Sequence, residues 1–297
     1  MSDPTTAEGT HVLGLQARLP VPSATAFHAL TDPPSLREWL ADEADVDLDA
    51  GHFEFWGRRV PQGERGRHRL VTAEPDHLLA FTWTLDGIET EVRIELAPAG
   101  EHTALALRQY RMPTLDELMA PQGRRDGRHS MHTFWGLALV ELAEHLAGRA
   151  PTLRADFDPD RSREIRAELD IAAPPERVFA SLVEPAQVER WFGWAPEIDP
   201  RLGGRISFGL DGEISEFEPG EMLVYADGAG AVVRWELAGS GGGTHLTFVQ
   251  SGFGADELDS AAQHEAGWLA GLAELRRMHE LGADWTPVST DLPEERE

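Results

Sequence analysis

Several features are missing from this chain of 297 residues, and each absence excludes a class of protein. There is no cysteine, so there is no disulfide framework, no thiolate nucleophile and no cysteine metal site. No stretch approaches the roughly 18 consecutive apolar residues that a membrane-spanning helix needs. The first residues, MSDPTTAEGTHV, lack the basic start and apolar run of an export signal. We therefore expect a soluble, cytoplasmic protein.

Lysine is also absent, so all 26 basic side chains are arginine, and 52 acidic side chains oppose them for a net charge of −26. So negative a chain repels phosphate backbones and anionic lipid surfaces. Neither nucleic acid nor a membrane is therefore expected as a partner. Hydrophobic residues make up 41% of the chain, which is typical of a globular protein, and the length favours two domains.

The sequence contains an internal repeat. Residues 26–40 read AFHALTDPPSLREWL and residues 178–192 read VFASLVEPAQVERWF, with Phe, Leu, Pro and Trp in matching places. Further pairs match in the same order along both halves: AEPDHLLAF at 73–81 with FEPGEMLVY at 217–225, VRIEL at 92–96 with VRWEL at 233–237, TALALRQ at 103–109 with THLTFVQ at 244–250, and FWGLALVELAEHL at 134–146 with GWLAGLAELRRMH at 267–279. Chance does not produce so many matches in one order, so we infer a duplication.

Each half has the same predicted order of elements. Alternating apolar residues predict a first strand, at 15–21 and again at 165–171. Pro34 and Pro185 break the helical pattern that follows into two short helices. Hairpin-linked strands come next, and a long helix with an apolar stripe closes each half.

The repeat also sets the predicted domain boundaries. Residues 149–164 are rich in proline and charge and have no apolar periodicity, as is typical of a linker. The predicted division is a first domain at 10–149, a linker at 150–162, a second domain at 163–285 and an acidic tail at 286–297.

The repeated residues resemble a known family. The pattern is Phe, then Leu-x-x-Pro, then Trp-Phe or Trp-Leu, followed by Arg-x-Gly-Gly before a strand and Gly-Trp opening a C-terminal helix. It resembles the domain related to the C-terminal part of the activator of Hsp90 ATPase, in the START and Bet v 1 superfamily. The matching residues are Phe27, Leu30, Pro33, Trp39, Leu40, Gly51 and Trp135 in the first half, and Phe179, Leu182, Pro185, Trp191, Phe192, Arg201, Gly203, Gly204, Gly267 and Trp268 in the second.

The resemblance implies an α+β fold with two helix-grip domains. Each would be a curved antiparallel sheet wrapped around a long C-terminal helix, with two short helices after the first strand. In many relatives the sheet and helix enclose a cavity that holds an apolar or aromatic small molecule. No cofactor is implied.

Side chains that face this cavity are the candidate ligand contacts. Alternation puts Leu246, Phe248 and Gln250 on one face of a strand, and Gln109 ends the equivalent stripe in the first half. An amide inside an apolar cavity must find a partner, so these two amides either orient a ligand or are strand ends tied to neighbouring backbone. Aromatic side chains suit the cavity wall. The predicted ligand contacts are Gln109, Gln250, Trp135, Trp268, Trp83, Trp235, Phe248, Phe55 and Phe208.

His132 and His264 lie one turn before the tryptophans of the long helices. A histidine there is either an acid or base near neutral pH or a partly exposed residue at a helix start. His129 and His132 have the i, i+3 spacing of two metal ligands, but no third ligand is identifiable, so no metal site is predicted.

Three functions remain open from the sequence. The first is binding of a small hydrophobic or aromatic molecule inside one or both domains. The second is an aromatase/cyclase-type enzyme acting on a polyketide-like substrate, which needs His132, His264, Gln109 or Gln250 to point inward beside empty volume. The third is a chaperone or transcription co-regulator that acts through protein contacts, which predicts a filled core and an exposed apolar patch.

Overall fold

The computed structural model describes residues 11–114, 117, 127–149 and 152–293. These residues form two compact units. The first unit extends to Pro159 and includes the segment from Val288 onward, and the second unit is Asp160–Pro287. Within the described ranges, no helix is both long enough and apolar enough to cross a membrane.

The first unit contains a six-stranded antiparallel sheet and a separate two-stranded hairpin. Its helices are α1 (Ser23–Thr31), α2 (Pro33–Trp39) and α3 (Met131–Leu146), with a 3-10 turn at Gly127–Ser130. Its strands are β1 (His11–Leu19), β2 (Glu43–Asp47), β3 (His52–Trp56), β4 (His68–Glu74), β5 (Leu78–Leu85), β6 (Ile88–Ala99), β7 (His102–Met112) and β14 (Ser289–Asp291). The sheet order is β14-β1-β7-β6-β5-β4, and β2 pairs with β3.

The second unit repeats the order of short helices, sheet and long helix, but its described strands form one sheet with no separate hairpin and no counterpart of β14. Its helices are α4 (Pro175–Val183), α5 (Pro185–Phe192) and α6 (Leu258–Leu281), with a 3-10 turn at Gly282–Asp284. Its strands are β8 (Ile165–Ile171), β9 (Arg205–Ser207), β10 (Asp211–Glu218), β11 (Met222–Ala226), β12 (Val232–Ser240) and β13 (Gly243–Ser251). The sheet order is β8-β13-β12-β11-β10-β9. The predicted α+β helix-grip fold is confirmed.

The repeated phrase folds in the same way in both units. A proline in the first turn of α2 and of α5 starts each second helix, because its missing N–H would be unpaired there in any case. The indole of Trp39 donates to the carbonyl of Ala29 at 2.9 Å, and the indole of Trp191 donates to the carbonyl of Ser181 at 2.9 Å. Both tryptophans are buried, so each ties its second short helix to its first.

The C-terminal segment differs from its prediction as an acidic tail at 286–297. Ser289–Asp291 forms β14, which pairs with Leu15, Gln16 and Ala17 of β1, and Val288 is buried. Backbone hydrogen bonds make this pairing, and nearly any residue can supply them. The segment therefore completes the first unit's sheet.

The predicted linker at 150–162 also differs. Residues 152–158, which we call the strap, are neither helix nor strand and lie against the first unit. The backbone N–H of Thr152 donates to Glu144 at 2.8 Å, and Arg58 forms a two-bond ion pair with Asp156 at 2.7 and 3.1 Å. Residues 10, 115, 116, 118–126, 150, 151 and 294–297 of the predicted domains, linker and tail lie outside the described residues.

Candidate functional site

Aromatic side chains fill the interior of the first unit. Phe55, Trp83 and Trp135, all predicted ligand contacts, are each 1% exposed or less. The ring of Trp83 lies 5.3 Å from that of Phe55 and 6.0 Å from that of Trp135, both edge to face. The structure brings these three residues together, and they contact one another. Their role as ligand contacts stays a prediction.

His68 belongs to the same aromatic cluster, although the sequence analysis did not select it. Its ring lies 4.0 Å from that of Phe55 and 4.8 Å from that of Trp83. Both of its nitrogens, and the indole nitrogen of Trp83, are buried without a hydrogen-bond partner among the described residues. Burial, followed by the charge of Arg67, lowers the pKa of His68 to about 3, so the ring is neutral at physiological pH.

The amide of Gln109 is held inside this cluster by side chains. The indole of Trp135 donates to its oxygen at 2.9 Å, and its nitrogen donates to the hydroxyl of Thr90 at 2.9 Å. Thr90 in turn donates to the carbonyl of Trp83 at 2.8 Å. The amide is therefore tied internally, to an indole and a hydroxyl rather than to the backbone.

The second unit has a matching cluster. Trp268 lies at its centre, with ring distances of 4.7 Å to Phe248, 5.0 Å to Phe208 and 5.4 Å to Trp235. The indole of Trp268 donates to the oxygen of Gln250 at 2.7 Å, as Trp135 does to its own glutamine. All four predicted aromatic contacts of this half are thus packed together, and their amide is also tied internally.

The two candidate acid–base histidines lie at different places. His132 has a 65% exposed side chain, and its Nε2 lies 3.1 Å from Asp291 of β14. His264 is half-buried, with its Nδ1 3.3 Å from the amide nitrogen of Gln250 and its ring 5.6 Å from that of Phe253. Neither assignment as an acid or base has support beyond the sequence pattern.

A small pocket lies under the strap of the first unit, and we call it the strap pocket. The volume open to the centre of a water molecule is about 10 Å³, which is room for about one water. Its wall is partly aromatic, because the ring of Phe134 on α3 lies 5.8 Å from that of Phe157 on the strap. The lining residues are Leu40, Arg59, Phe134, Leu137, Ala138, Glu141, Arg154, Ala155 and Phe157.

Glu141 is the unusual residue of the strap pocket. Its side chain is only 5% exposed, and its Oε1 has no hydrogen-bond partner in the described part of the chain. The nearest cation, Nε of Arg154, is 3.7 Å away, which is too far for a hydrogen bond. Burial raises the pKa of Glu141 well above its ordinary value, and the charge of Arg154 opposes that rise without cancelling it.

The duplication supplies an internal comparison for this site. The repeat pairs Glu141 with Glu274 of the second unit, where Oε2 accepts from the indole of Trp285 at 2.9 Å. It also pairs Leu40 with Phe192, whose ring lies 5.2 Å from that of Trp268. The equivalent glutamate is therefore hydrogen-bonded in the second unit, and a larger side chain takes the place of Leu40.

Backbone space explains why the second unit can hold that larger ring. A Cβ at Gly271 would lie 2.6 Å from the ring of Phe192, so the ring occupies the space where Ala138 carries its methyl group in the first unit. Leu40 is smaller than phenylalanine, and Ala138 prevents a ring from taking the same position. The strap pocket therefore results from two small differences between the copies.

Some of these residues could have been found from the sequence. Glu141 and Glu274 interrupt the apolar stripe of a long helix at the same place in both copies, which is a signal for a buried carboxyl group. Arg154 lay in the predicted linker, and His68 begins a strand with weak alternation, so neither gave a signal. No group of three or more potential metal ligands occurs among the described residues.

The comparison with models of protein families identifies the family. The model of the activator of Hsp90 ATPase homolog 1-like protein family matches residues 20–147 and 172–280. A search of the curated proteins finds no significant match.

Several solved structures are similar to this chain. A Mesorhizobium loti protein is 29% identical, with a TM-score of 0.36, over 40% of this chain and 98% of its own. CalU16 from Micromonospora echinospora is 21% identical, with a TM-score of 0.36, over 48% and 77%. DynU16, described as a putative protein in the dynemicin biosynthetic locus, is 17% identical, with a TM-score of 0.33, over 89% and 97%.

Proposed function

Because the chain belongs to the family of activator of Hsp90 ATPase homolog 1-like proteins and carries two of its domains, we propose that it binds a small hydrophobic or aromatic molecule. The proposed binding site is the strap pocket of the first unit. Binding is proposed without a cofactor and without a chemical step.

One observation carries the proposal: within the part of the chain that the structure describes, the strap pocket keeps a buried carboxyl oxygen without a hydrogen bond, whereas the equivalent glutamate of the other copy has one. An unpaired buried polar atom costs about 1–3 kcal/mol. A structure retains such a cost most readily where another molecule supplies the missing partner. Aromatic and aliphatic walls beside a few convergent polar groups are also the usual composition of a small-molecule site.

Access to the strap pocket depends on the strap. In the structure the pocket has room for about one water, so a ligand must displace part of its cover. The strap belongs to neither a helix nor a strand, so no ladder of backbone hydrogen bonds holds it. Its fixed points are Thr152, Arg154, Asp156 and Phe157, and the backbone N–H of Phe157 donates to the carbonyl of Arg58 at 2.6 Å. Release of the Phe157 ring would enlarge the pocket beside Phe134.

The test combines a compound panel with a variant that fills the strap pocket. Leu40→Phe with Ala138→Gly copies the packing of the second unit, so it should close the pocket and keep the fold. We expect apolar and aromatic compounds to raise the melting temperature of the wild-type chain and to bind it in isothermal titration calorimetry. The double variant should lose that binding while its circular dichroism spectrum stays unchanged.

Two results would contradict the proposal. One is that no compound binds the wild-type chain, and the other is that compounds bind the filled variant as tightly as the wild type. The matched control is Val188→Leu together with Ala262→Gly in the second unit, which perturbs core packing to a similar degree away from the strap pocket. This control should still bind.

Protein contact is the second candidate function. The filled aromatic interiors of both units favour it, as do Trp194 and Leu202, which are 44% and 66% exposed in the second unit. The aromatase or cyclase alternative has less support, because both amides are tied internally and His132 is exposed. A failure of the whole compound panel would favour protein contact. The cytoplasmic location stays a prediction.

A further inference from the structure

We infer that the molecule bound in the strap pocket carries a carboxylate group, which Arg154 and Glu141 hold, on an apolar body that packs against Phe134 and Phe157. This inference rests on the proposed function, because it names the class of ligand for the same site. It follows from the hydrogen-bonding capacity and the charge that the pocket leaves unused.

The unused hydrogen-bonding capacity lies on two facing side chains. Among the described residues, Oε1 of Glu141 has no hydrogen bond, and Nε of Arg154 lies 3.7 Å from it. The one hydrogen bond that Arg154 makes within this part of the chain runs from its Nη1 to the carbonyl of Arg37 at 3.0 Å, and its side chain is 10% exposed. A guanidinium group has five N–H donors, so most of the donors of this half-buried arginine remain available. An acceptor beside both side chains would bond to Arg154 and, when Glu141 is protonated, to the hydroxyl of Glu141.

The pKa shifts of this pair run opposite to those of a well-formed ion pair. Burial raises the pKa of Glu141 and lowers the pKa of Arg154, and in each case the partner's charge opposes the shift without reversing it. Arginine stays protonated at any ordinary pH, so Glu141 is the member of the pair whose charge changes with pH. A protonated glutamate donates a hydrogen bond through its hydroxyl.

With Glu141 protonated, the charged side chains that line the pocket are the cations Arg59 and Arg154. Arg59 is neutralised by Asp42, whose Oδ1 lies 3.1 Å from its Nε. Glu144 also faces Glu141 and raises its pKa, but it does not line the pocket, and its oxygens accept from the N–H and hydroxyl of Thr152 at 2.8 and 3.0 Å. Asp42 and Glu38 act on Arg154 only as weaker contributions than Glu141. With Glu141 protonated, the guanidinium of Arg154 lacks a counter-ion beside it, and an anion would supply one.

A carboxylate fits both groups better than the other simple head groups. It accepts a charge-assisted hydrogen bond from the guanidinium and another from the glutamate hydroxyl. An amine would be repelled by Arg154 and would need Glu141 to be ionised. A neutral alcohol would bond to either side chain but would leave the arginine without a counter-ion. The aromatic walls contributed by Phe134 and Phe157 suit a ring next to the carboxylate.

The experiment uses three fluorinated probes with one shared body: 4-fluorophenylacetate, 4-fluorobenzyl alcohol and 4-fluorobenzylamine. Binding of each to the full chain is measured by ¹⁹F NMR titration between pH 5 and pH 9. We expect the carboxylate to bind on the order of tenfold more tightly than the alcohol at the lower pH, because it gains a hydrogen bond to a charged group. Its affinity should fall as pH rises through the pKa of Glu141, since the ionised glutamate repels it.

Glu141→Gln separates the roles of the two side chains. The amide of glutamine still donates a hydrogen bond and does not titrate, so the variant should bind the carboxylate without the fall at high pH. Glu274→Gln, at the equivalent position of the second unit, is the matched control and should keep the pH dependence of the wild type. Arg154→Gln should remove the preference for the carboxylate.

Each outcome decides between the two proposals. Tighter binding of the alcohol or of the amine to the strap pocket would overturn the carboxylate inference and leave small-molecule binding intact. Carboxylate binding that ignores pH in the wild type, or that persists unchanged in Arg154→Gln, would also overturn it. If none of the probes binds the wild-type chain and the wider panel also fails, both proposals fall together.

Discussion

Replacing Gln109 by leucine tests whether that amide holds the first unit together or serves a ligand. Leucine has a similar volume and no polar atoms, so Gln109→Leu removes the acceptor that receives the Trp135 indole at 2.9 Å. It also removes the donor to Thr90, but that hydroxyl keeps its bond to the carbonyl of Trp83. The indole N–H, on a side chain 1% exposed, is then left buried without a partner.

The expected cost is about 2 kcal/mol of the free energy of unfolding of the first unit. An unsatisfied buried donor costs about 1–3 kcal/mol. The loss of the hydrogen bond to the Thr90 hydroxyl adds a smaller cost, which is partly offset because leucine has no polar atoms to desolvate. Trp135→Phe removes the indole N–H itself. In that background Gln109→Leu should therefore cost less than about 1 kcal/mol, because both polar partners are gone.

Hydrogen exchange followed by mass spectrometry can assign this loss to one unit. A destabilisation of about 2 kcal/mol corresponds to roughly 30-fold faster exchange of the slowest amides, and it should appear in peptides of the first unit. Gln250→Leu should show the equivalent effect in peptides of the second unit, where Trp268 loses its acceptor. If Gln109→Leu changes nothing, or costs as much beside Trp135→Phe as alone, the structural explanation is wrong and a ligand role for the amide gains support.

Three further predictions follow from burial, pairing and space. Below pH 6.5 the wild-type chain should lose up to about 1.4 kcal/mol of unfolding free energy per pH unit, because His68 takes up a proton there in the unfolded chain but only near pH 3 in the folded one. His68→Phe should not show this loss, and urea unfolding of both chains at pH 7 and pH 5 measures the difference. Ending the chain at Pro287 removes β14 and should uncover the edge of β1, so amide exchange in β1 should become faster and light scattering should detect self-association. An unchanged rate of amide exchange in β1 would contradict the pairing. Gly136→Ala should stabilise α3 by about 0.5–1 kcal/mol, because the added Cβ meets no other atom. Gly271→Ala should destabilise the second unit by about 1–3 kcal/mol, because its Cβ meets the ring of Phe192. Thermal unfolding measures both, and a change of the same sign in the two variants would refute this.

Much of the fold could be predicted because the sequence repeats its own pattern. The alternation in β13 correctly placed Leu246, Phe248 and Gln250 on the buried face, and the same spacing identified the equivalent strand of the first unit. The division into two short helices followed from the positions of the prolines. These features are local, so one stretch of sequence is enough to indicate them.

The strand β14 and the docked strap could not be predicted in this way. Ser289–Asp291 is only three residues long and has no apolar alternation, and its pairing depends on backbone groups that every residue carries. The strap is held by Arg58, which is distant in sequence. Partners so far apart leave no local periodicity.

The strap pocket could not be predicted for a different reason. The pocket exists because the first unit has Leu40 where the second has the larger Phe192, and Ala138 where the second has the smaller Gly271. The free volume therefore depends on how side chains pack around these two positions. The repeat aligned these positions, but only coordinates show which side chain fills the space. For the amides of Gln109 and Gln250, the sequence analysis considered two hydrogen-bond partners, a ligand or the backbone. In the structure each amide oxygen instead accepts from an indole.

The position of β14 has a consequence for the order in which the protein is made. The strand is encoded after the second unit, yet it belongs to the sheet of the first. The roughly 130 residues of the second unit take about 6–26 s to synthesise at 5–20 residues per second. While the second unit is being synthesised, β1 has already left the ribosome and one of its edges is unpaired. Of the two units, the one that is synthesised first is therefore completed last.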